Sequence, residues 1–95
     1  MKAIFNGKVI AESDETVVVE GNHYFPHDTI NSEYFRSSSL HSECPWKGQA
    51  HYYHLQVNGQ LLQDGAWFYP DTKAKASHFK NYVAFYTNKG VKVEE

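Results

Sequence analysis

The sequence predicts a mainly β fold with a minor helical part, and three observations carry that reading. Asn6-Gly7 and Asn58-Gly59 each lie between apolar runs, and Asn-Gly adopts the positive φ angles of a two-residue hairpin turn. Gln49 to Val57 alternates, with Gln49, His51, Tyr53, Leu55 and Val57 on one face and Ala50, Tyr52, His54 and Gln56 on the other. The apolar content leans on aromatic rings, seven Tyr and six Phe in 95 residues, which bury large areas and suit strands.

Taken in order, Ala3-Ile4-Phe5 and Lys8-Val9-Ile10-Ala11 flank the first Asn-Gly turn as a hairpin. Glu12 to Glu15 is a polar turn, and Thr16 to Glu20 is β-branched enough for a third strand, ended by Gly21-Asn22. In His23-Tyr24-Phe25-Pro26 the proline lacks an amide hydrogen and drives Phe25 extended, so a strand end or loop is expected. His27 to Phe35 fits a short helical turn with Asp28 as its N-cap. Arg36 to Ser42 reads as a loop leading into a short edge strand, because serine hydroxyls compete for backbone hydrogen bonds.

Beyond Val57, the second Asn-Gly returns the chain through Gln60-Leu61-Leu62, and Ala66 to Tyr69 is a further strand stopped by Pro70. The one helix is expected from Asp71 or Thr72 to Lys80, with Ala76, Phe79 and Val83 on a single stripe. Val83 to Tyr86 is a strand, Asn88-Lys89-Gly90 a turn, and Val91 to Val93 the last strand.

This length makes one domain, residues 1–95, with room for a single core. The formal net charge is −2 and Lys and Arg are scattered singly, so nucleic acid is not an expected partner. No apolar run approaches the roughly 18 residues that cross a bilayer. Asn6-Gly7-Lys8 interrupts what would be the apolar core of a signal peptide. A lone Cys44 cannot form an internal disulfide. A cytoplasmic protein without a membrane partner is the expectation.

Four segments then occur in a recognisable order: Tyr24-Phe25-Pro26, the run from Cys44-Pro45-Trp46-Lys47-Gly48 to Tyr52-Tyr53, Ala66-Trp67 with Tyr69-Pro70, and Tyr82-Val83-Ala84-Phe85-Tyr86. With this set the chain resembles the domain family of unknown function DUF427 from about Ala3 to Val93. The resemblance implies compact antiparallel sheets of the β-tent or Mss4-like kind enclosing a pocket. Thr72 and Asn81 stand where that pattern has proline and glycine. Some of the family carry a nucleotidyltransferase label, a chemistry that sets paired carboxylates on metal ions. No Asp-x-Asp or Glu-x-Asp pair beside a Gly-Ser turn occurs here. Metal-binding β-tent domains use paired Cys-x-x-Cys motifs, which a single Cys44 cannot supply.

The stretch richest in chemistry is Glu43 to Tyr53, which holds the only thiol, an indole, an amine and two phenols. Cys44 and Lys47 are candidate catalytic residues, since a nearby ammonium favours the nucleophilic thiolate. The same pair also reads as a small buried thiol and a lysine lying along the surface. Tyr24, Trp46, Tyr52, Trp67 and Tyr69, with Asn22, are candidate ligand-binding residues, because rings with polar tips make walls for a flat ligand. They equally suit a small core. His51 and His54 fall on opposite faces of their strand, which argues against joint metal ligation. No metal and no cofactor are expected. The leading expectation is a domain that binds an unidentified small molecule; the alternatives are an enzyme using Cys44 as nucleophile and a protein–protein adaptor.

Overall fold

The computed structural model describes residues 1–95. Nine strands run through it: β1 (Lys2–Phe5), β2 (Lys8–Glu12), β3 (Val17–Val19), β4 (Asn22–Tyr24), β5 (Phe35–Cys44), β6 (Gly48–Val57), β7 (Gln60–Phe68), β8 (Val83–Phe85) and β9 (Lys92–Glu94). Strands take 56% of the chain and helical turns 16%, none reaching seven residues, so the fold is mainly β. All pairing is antiparallel, in sheets ordered β2-β1-β9, β3-β4 and β5-β6-β7-β8. No helix is long and apolar enough to cross a membrane.

Both Asn-Gly pairs turn hairpins, β1 to β2 at φ 49° and 78° and β6 to β7 at φ 49° and 82°. A third hairpin of the same kind joins β3 to β4 through Glu20-Gly21, at φ 54° and 81°. Sequence reading ended a strand there, because glutamate is a poor choice for positive φ.

Arg36 to Ser42 is not a loop but the middle of β5, a ten-residue edge strand. Its serine run marks a bulge instead. Ser37 pairs with Tyr53 and His41 with His51, so residues 38–40 face Tyr52 alone. A matching bulge interrupts β7, where residues 63–65 face His54 between the Tyr53–Ala66 and Leu55–Leu62 pairs. The two segments read as separate strands around it are therefore one. Ser38 Oγ donates to Asp64 Oδ1 and the Asp64 amide donates to His54 Nδ1 at 3.0 Å, tying the bulges together across β6.

The expected helix is a six-residue 3-10 helix, Ala74–Phe79, preceded by Lys73 with no side-chain cap. Its buried pair, Ala76 and Phe79, is three residues apart, the repeat of a 3-10 turn, and Val83 lies beyond it in β8. Short 3-10 turns also occupy His27–Thr29 and Ser32–Tyr34. Pro26 stands before the first of these, and Asp28 lies inside it rather than capping it.

The apolar interior divides in two, where composition suggested one core. Alternation along β6, β7 and β8 sends Leu55, Val57, Ala66, Val83 and Phe85 to one face of the four-stranded sheet, where they meet Ala3, Phe5 and Ile10 of the β2-β1-β9 sheet. Ala50, Trp67 and Ala84 point the opposite way and pack with Val19, Tyr24, Tyr69, Ala76 and Phe79. The sheet is thus covered on both faces, by a second sheet on one and by the β3-β4 hairpin and the 3-10 helix on the other. Phe25 pins the hairpin to β8: its amide donates to Val83 O at 2.8 Å and its carbonyl accepts from the Val83 amide at 2.7 Å.

Candidate functional site

The smaller core opens to the surface as a cleft of about 270 Å³, lined by Glu20, Asn22, Tyr24, Lys47, Tyr52, Trp67, Tyr69 and Tyr86. Six of the eight residues singled out from sequence are therefore brought together: Asn22, Tyr24, Lys47, Tyr52, Trp67 and Tyr69. β4 supplies Asn22 and Tyr24, β6 supplies Tyr52, β7 supplies Trp67, and Tyr69 follows one residue beyond β7. Tyr52 sits opposite the bulge in β5, and its hydroxyl pairs with Ser42 Oγ at 2.8 Å.

Lys47 is the only buried polar or charged residue in the chain, 7% exposed. Its loop, Pro45 to Lys47, joins β5 to β6 and is clamped from the side by the segment ahead of the 3-10 helix. The Lys73 amide donates to Lys47 O at 3.1 Å, and the Lys73 ammonium donates to Pro45 O at 2.7 Å. Gly48 closes the loop at φ 123°, against the Asp71 carbonyl. The ammonium donates to the Glu20 carboxylate and lies 5.3 Å from the Trp46 ring centroid and 5.7 Å from that of Tyr69. Burial pushes the Lys47 pKa down, but the Glu20 carboxylate and then Tyr69, Tyr24 and Cys44 outweigh it and hold it above its usual value. Lys47 is thus held as a cation beside its carboxylate partner.

Tyr24, Tyr69 and Tyr86 beside it all have raised pKa values. Burial raises Tyr24, and burial pushes Tyr69 up to about 12 even though Lys47 pulls the other way. Burial, then the neighbouring Tyr52, pushes Tyr86 up to about 12. Trp67 Nε1 donates to the Tyr24 hydroxyl at 3.0 Å, which occupies that oxygen as an acceptor and leaves its proton for another partner. Tyr86 lies tilted against the Trp67 ring at 4.5 Å. The cleft is rich in donors and holds one cation, already matched by one carboxylate.

Trp46 and Cys44 fall outside the lining. Trp46 is 37% exposed and packs edge-on to Phe79 at 6.0 Å, behind the Lys47 ammonium. Cys44 is half-buried at the end of β5, packed against the smaller core. Sequence reading missed Glu20 and Tyr86. Tyr86 reads from sequence as the end of a strand, and Glu20 reaches the site only through the hairpin at Glu20-Gly21. One signal for it was present: Glu20-Gly21 sits where the other two hairpins carry Asn-Gly.

The histidines serve elsewhere. His27 Nδ1 donates to Asn81 O at 2.8 Å, which leaves Nε2 to accept from the Tyr53 hydroxyl at 2.8 Å. His41 stacks on His51 across β5 and β6 at 4.1 Å. Ser38, Asp64 and His54 come together, but the serine donates to the aspartate and not to the imidazole. His54 Nδ1 is occupied by the Asp64 amide, so this is not the relay of a serine hydrolase.

The family model for the domain of unknown function DUF427 matches residues 1–95, and the chain belongs to that family. None of the curated proteins compared matches it.

Proposed function

We propose that this DUF427 domain binds a small, flat, anionic molecule in the cleft around Lys47. The observation that carries the reading is a buried ammonium among phenol hydroxyls that burial holds in their donor form. Such a set offers hydrogen bonds and positive charge to oxygen acceptors. The Trp67 and Tyr86 rings supply walls for a planar group. A cationic ligand is disfavoured, since the protein's own ammonium already takes the place that an aromatic cage with one carboxylate would offer.

In this role Lys47 holds the anion, Tyr24 and Tyr69 donate to it, and Tyr52, Trp67 and Tyr86 flank the ring, with Asn22 at the rim. The alternative with Cys44 as nucleophile has less behind it, since the thiol is not among the residues that line the cleft. The test is a two-dimensional NMR screen with flat aromatic acids and their neutral amides. Acids are expected to shift the Trp67 indole N–H and the Lys47 and Tyr69 amides at lower concentration than the amides do. Equal response to both, or shifts remote from the cleft, would count against the proposal.

A further inference from the structure

The cleft is not empty of anions, because Glu20 already stands on Lys47. We propose that Glu20 is a displaceable internal counter-ion, and that a carboxylate of single negative charge on the ligand takes its place while the exposed Glu20-Gly21 turn swings outward. The inference rests on the cleft reading above and specifies the ligand's charged group and how it enters.

Three features support displacement. The pair straddles the mouth of the site: the Glu20 side chain is 56% exposed and that of Lys47 9%. Glu20 can return to water at little loss, whereas Lys47 left alone would be an uncompensated buried charge. Exchange for another anion is therefore favoured over simple opening.

The turn is also a reluctant one. Glu20 occupies the first central position of its hairpin at φ 54°, where the other two hairpins hold Asn6 and Asn58, both at φ 49°. A glutamate there is strained relative to asparagine, and strain of this kind collects at switch and binding segments. The residue that strains the turn is the one whose carboxylate reaches Lys47.

Finally, the turn itself projects free of the core. β3 and β4 are three-residue strands that pair only with each other, so no neighbouring strand is bonded to the turn. The strands are anchored by Val19, 8% exposed, by Tyr24, 1% exposed, and by Phe25, which bonds to Val83. Glu20 and Gly21 beyond them are exposed, and a Cβ added to Gly21 would meet nothing within 4 Å. The charge of the ligand follows from the exchange: one ammonium matched by one carboxylate is best matched again by one carboxylate.

Benzoate, with benzamide as its neutral counterpart, tests this by NMR titration of the wild type, Glu20→Gln and Glu20→Asn. Gln retains the turn strain and Asn relieves it, while both remove the competing charge; melting curves establish that each is folded. Both variants are expected to bind benzoate at least about threefold tighter than wild type, since they populate the open site more fully. Benzamide affinity is expected to be unchanged. In the wild type, benzoate and not benzamide is expected to shift the amides of Val18 to Gly21. If benzoate binds the wild type and the variants no tighter, Glu20 is a brace, and this inference falls while the cleft reading stands. Tightening in Glu20→Asn alone would assign the effect to the turn and overturn it as well. If benzoate shifts none of the three proteins, the cleft reading fails and the inference with it.

Discussion

The Trp67 indole nitrogen donates to the Tyr24 hydroxyl at 3.0 Å, joining β7 to β4 across 43 residues of sequence. The bond does two things. It satisfies a polar N–H in a side chain that the core almost encloses, and it leaves the Tyr24 proton as the group to be shared. Tyr24→Phe is expected to leave that indole N–H without an acceptor and to destabilise the fold by about 1–3 kcal/mol. Chemical denaturation followed by tryptophan emission measures this. An unchanged midpoint would mean that the bond contributes nothing.

Lys47 is buried with its charge matched by a partner that is itself mostly in water. Lys47→Met keeps the volume and removes the charge, and Glu20 then rehydrates, so stability is expected to stay within about 1 kcal/mol of wild type. Lys47→Ala opens a cavity as well and is expected to lose about 2 kcal/mol or more. Urea midpoints of the two variants decide it; equal losses would place the lysine's contribution in its charge and not in its packing.

Gly48 fixes the approach of the Lys47 loop. At φ 123° a side chain is strained, and a Cβ there would stand 2.8 Å from the Asp71 carbonyl oxygen. Gly7, at φ 78°, has nothing within 4 Å of the same added atom. Gly48→Ala is therefore expected to lower the melting temperature clearly more than Gly7→Ala, which carries backbone strain alone. Similar shifts would contradict the tight contact at Asp71.

Burial raises Tyr24, Tyr53, Tyr69 and Tyr86 above the ordinary phenol value of 10.0, the last two to about 12. Above pH 10.0 an unfolded phenol has released the proton that its folded counterpart keeps, so the unfolded state binds fewer protons. Stability is unaffected by these groups below pH 10.0 and is lost as pH rises from there towards about 12. Lys47, also raised, acts in the same direction. Urea midpoints should fall steadily over that window, and phenolate absorbance near 295 nm should rise together with unfolding. A flat midpoint would contradict the burial of these hydroxyls.

How far the sequence disclosed all this depended on how local each signal was. Asn6-Gly7 and Asn58-Gly59 announce hairpins because few other pairs accept two positive φ angles, and alternation from Gln49 to Val57 assigns β6 to within a residue. β5 was obscured because its serines and its bulge remove any alternation of apolar residues. The helix had the right buried residues, Ala76 and Phe79, but their three-residue spacing fits a 3-10 turn as well as one face of an α-helix.

At the site, Tyr24, Tyr52, Trp67 and Tyr69 were legible because rings with polar tips suit the wall of a cleft, whereas Tyr86 was missed and Trp46 lies outside the lining. The burial of Lys47 was not legible. A lysine in a turn after proline and tryptophan looks like a surface residue, and its counter-ion lies 27 positions earlier in a turn whose residue type disguises it. Long-range pairing of this sort leaves no periodic trace.

The central claim is that Lys47 holds the anion of a flat ligand, and calorimetric titration of benzoate into wild type and Lys47→Met tests it most directly. Melting curves first establish that both are folded, and benzamide serves as the neutral control. Loss of a charge-assisted hydrogen bond predicts benzoate binding weakened roughly tenfold or more in the variant, with benzamide binding unchanged. Benzoate bound equally well by Lys47→Met would contradict the claim.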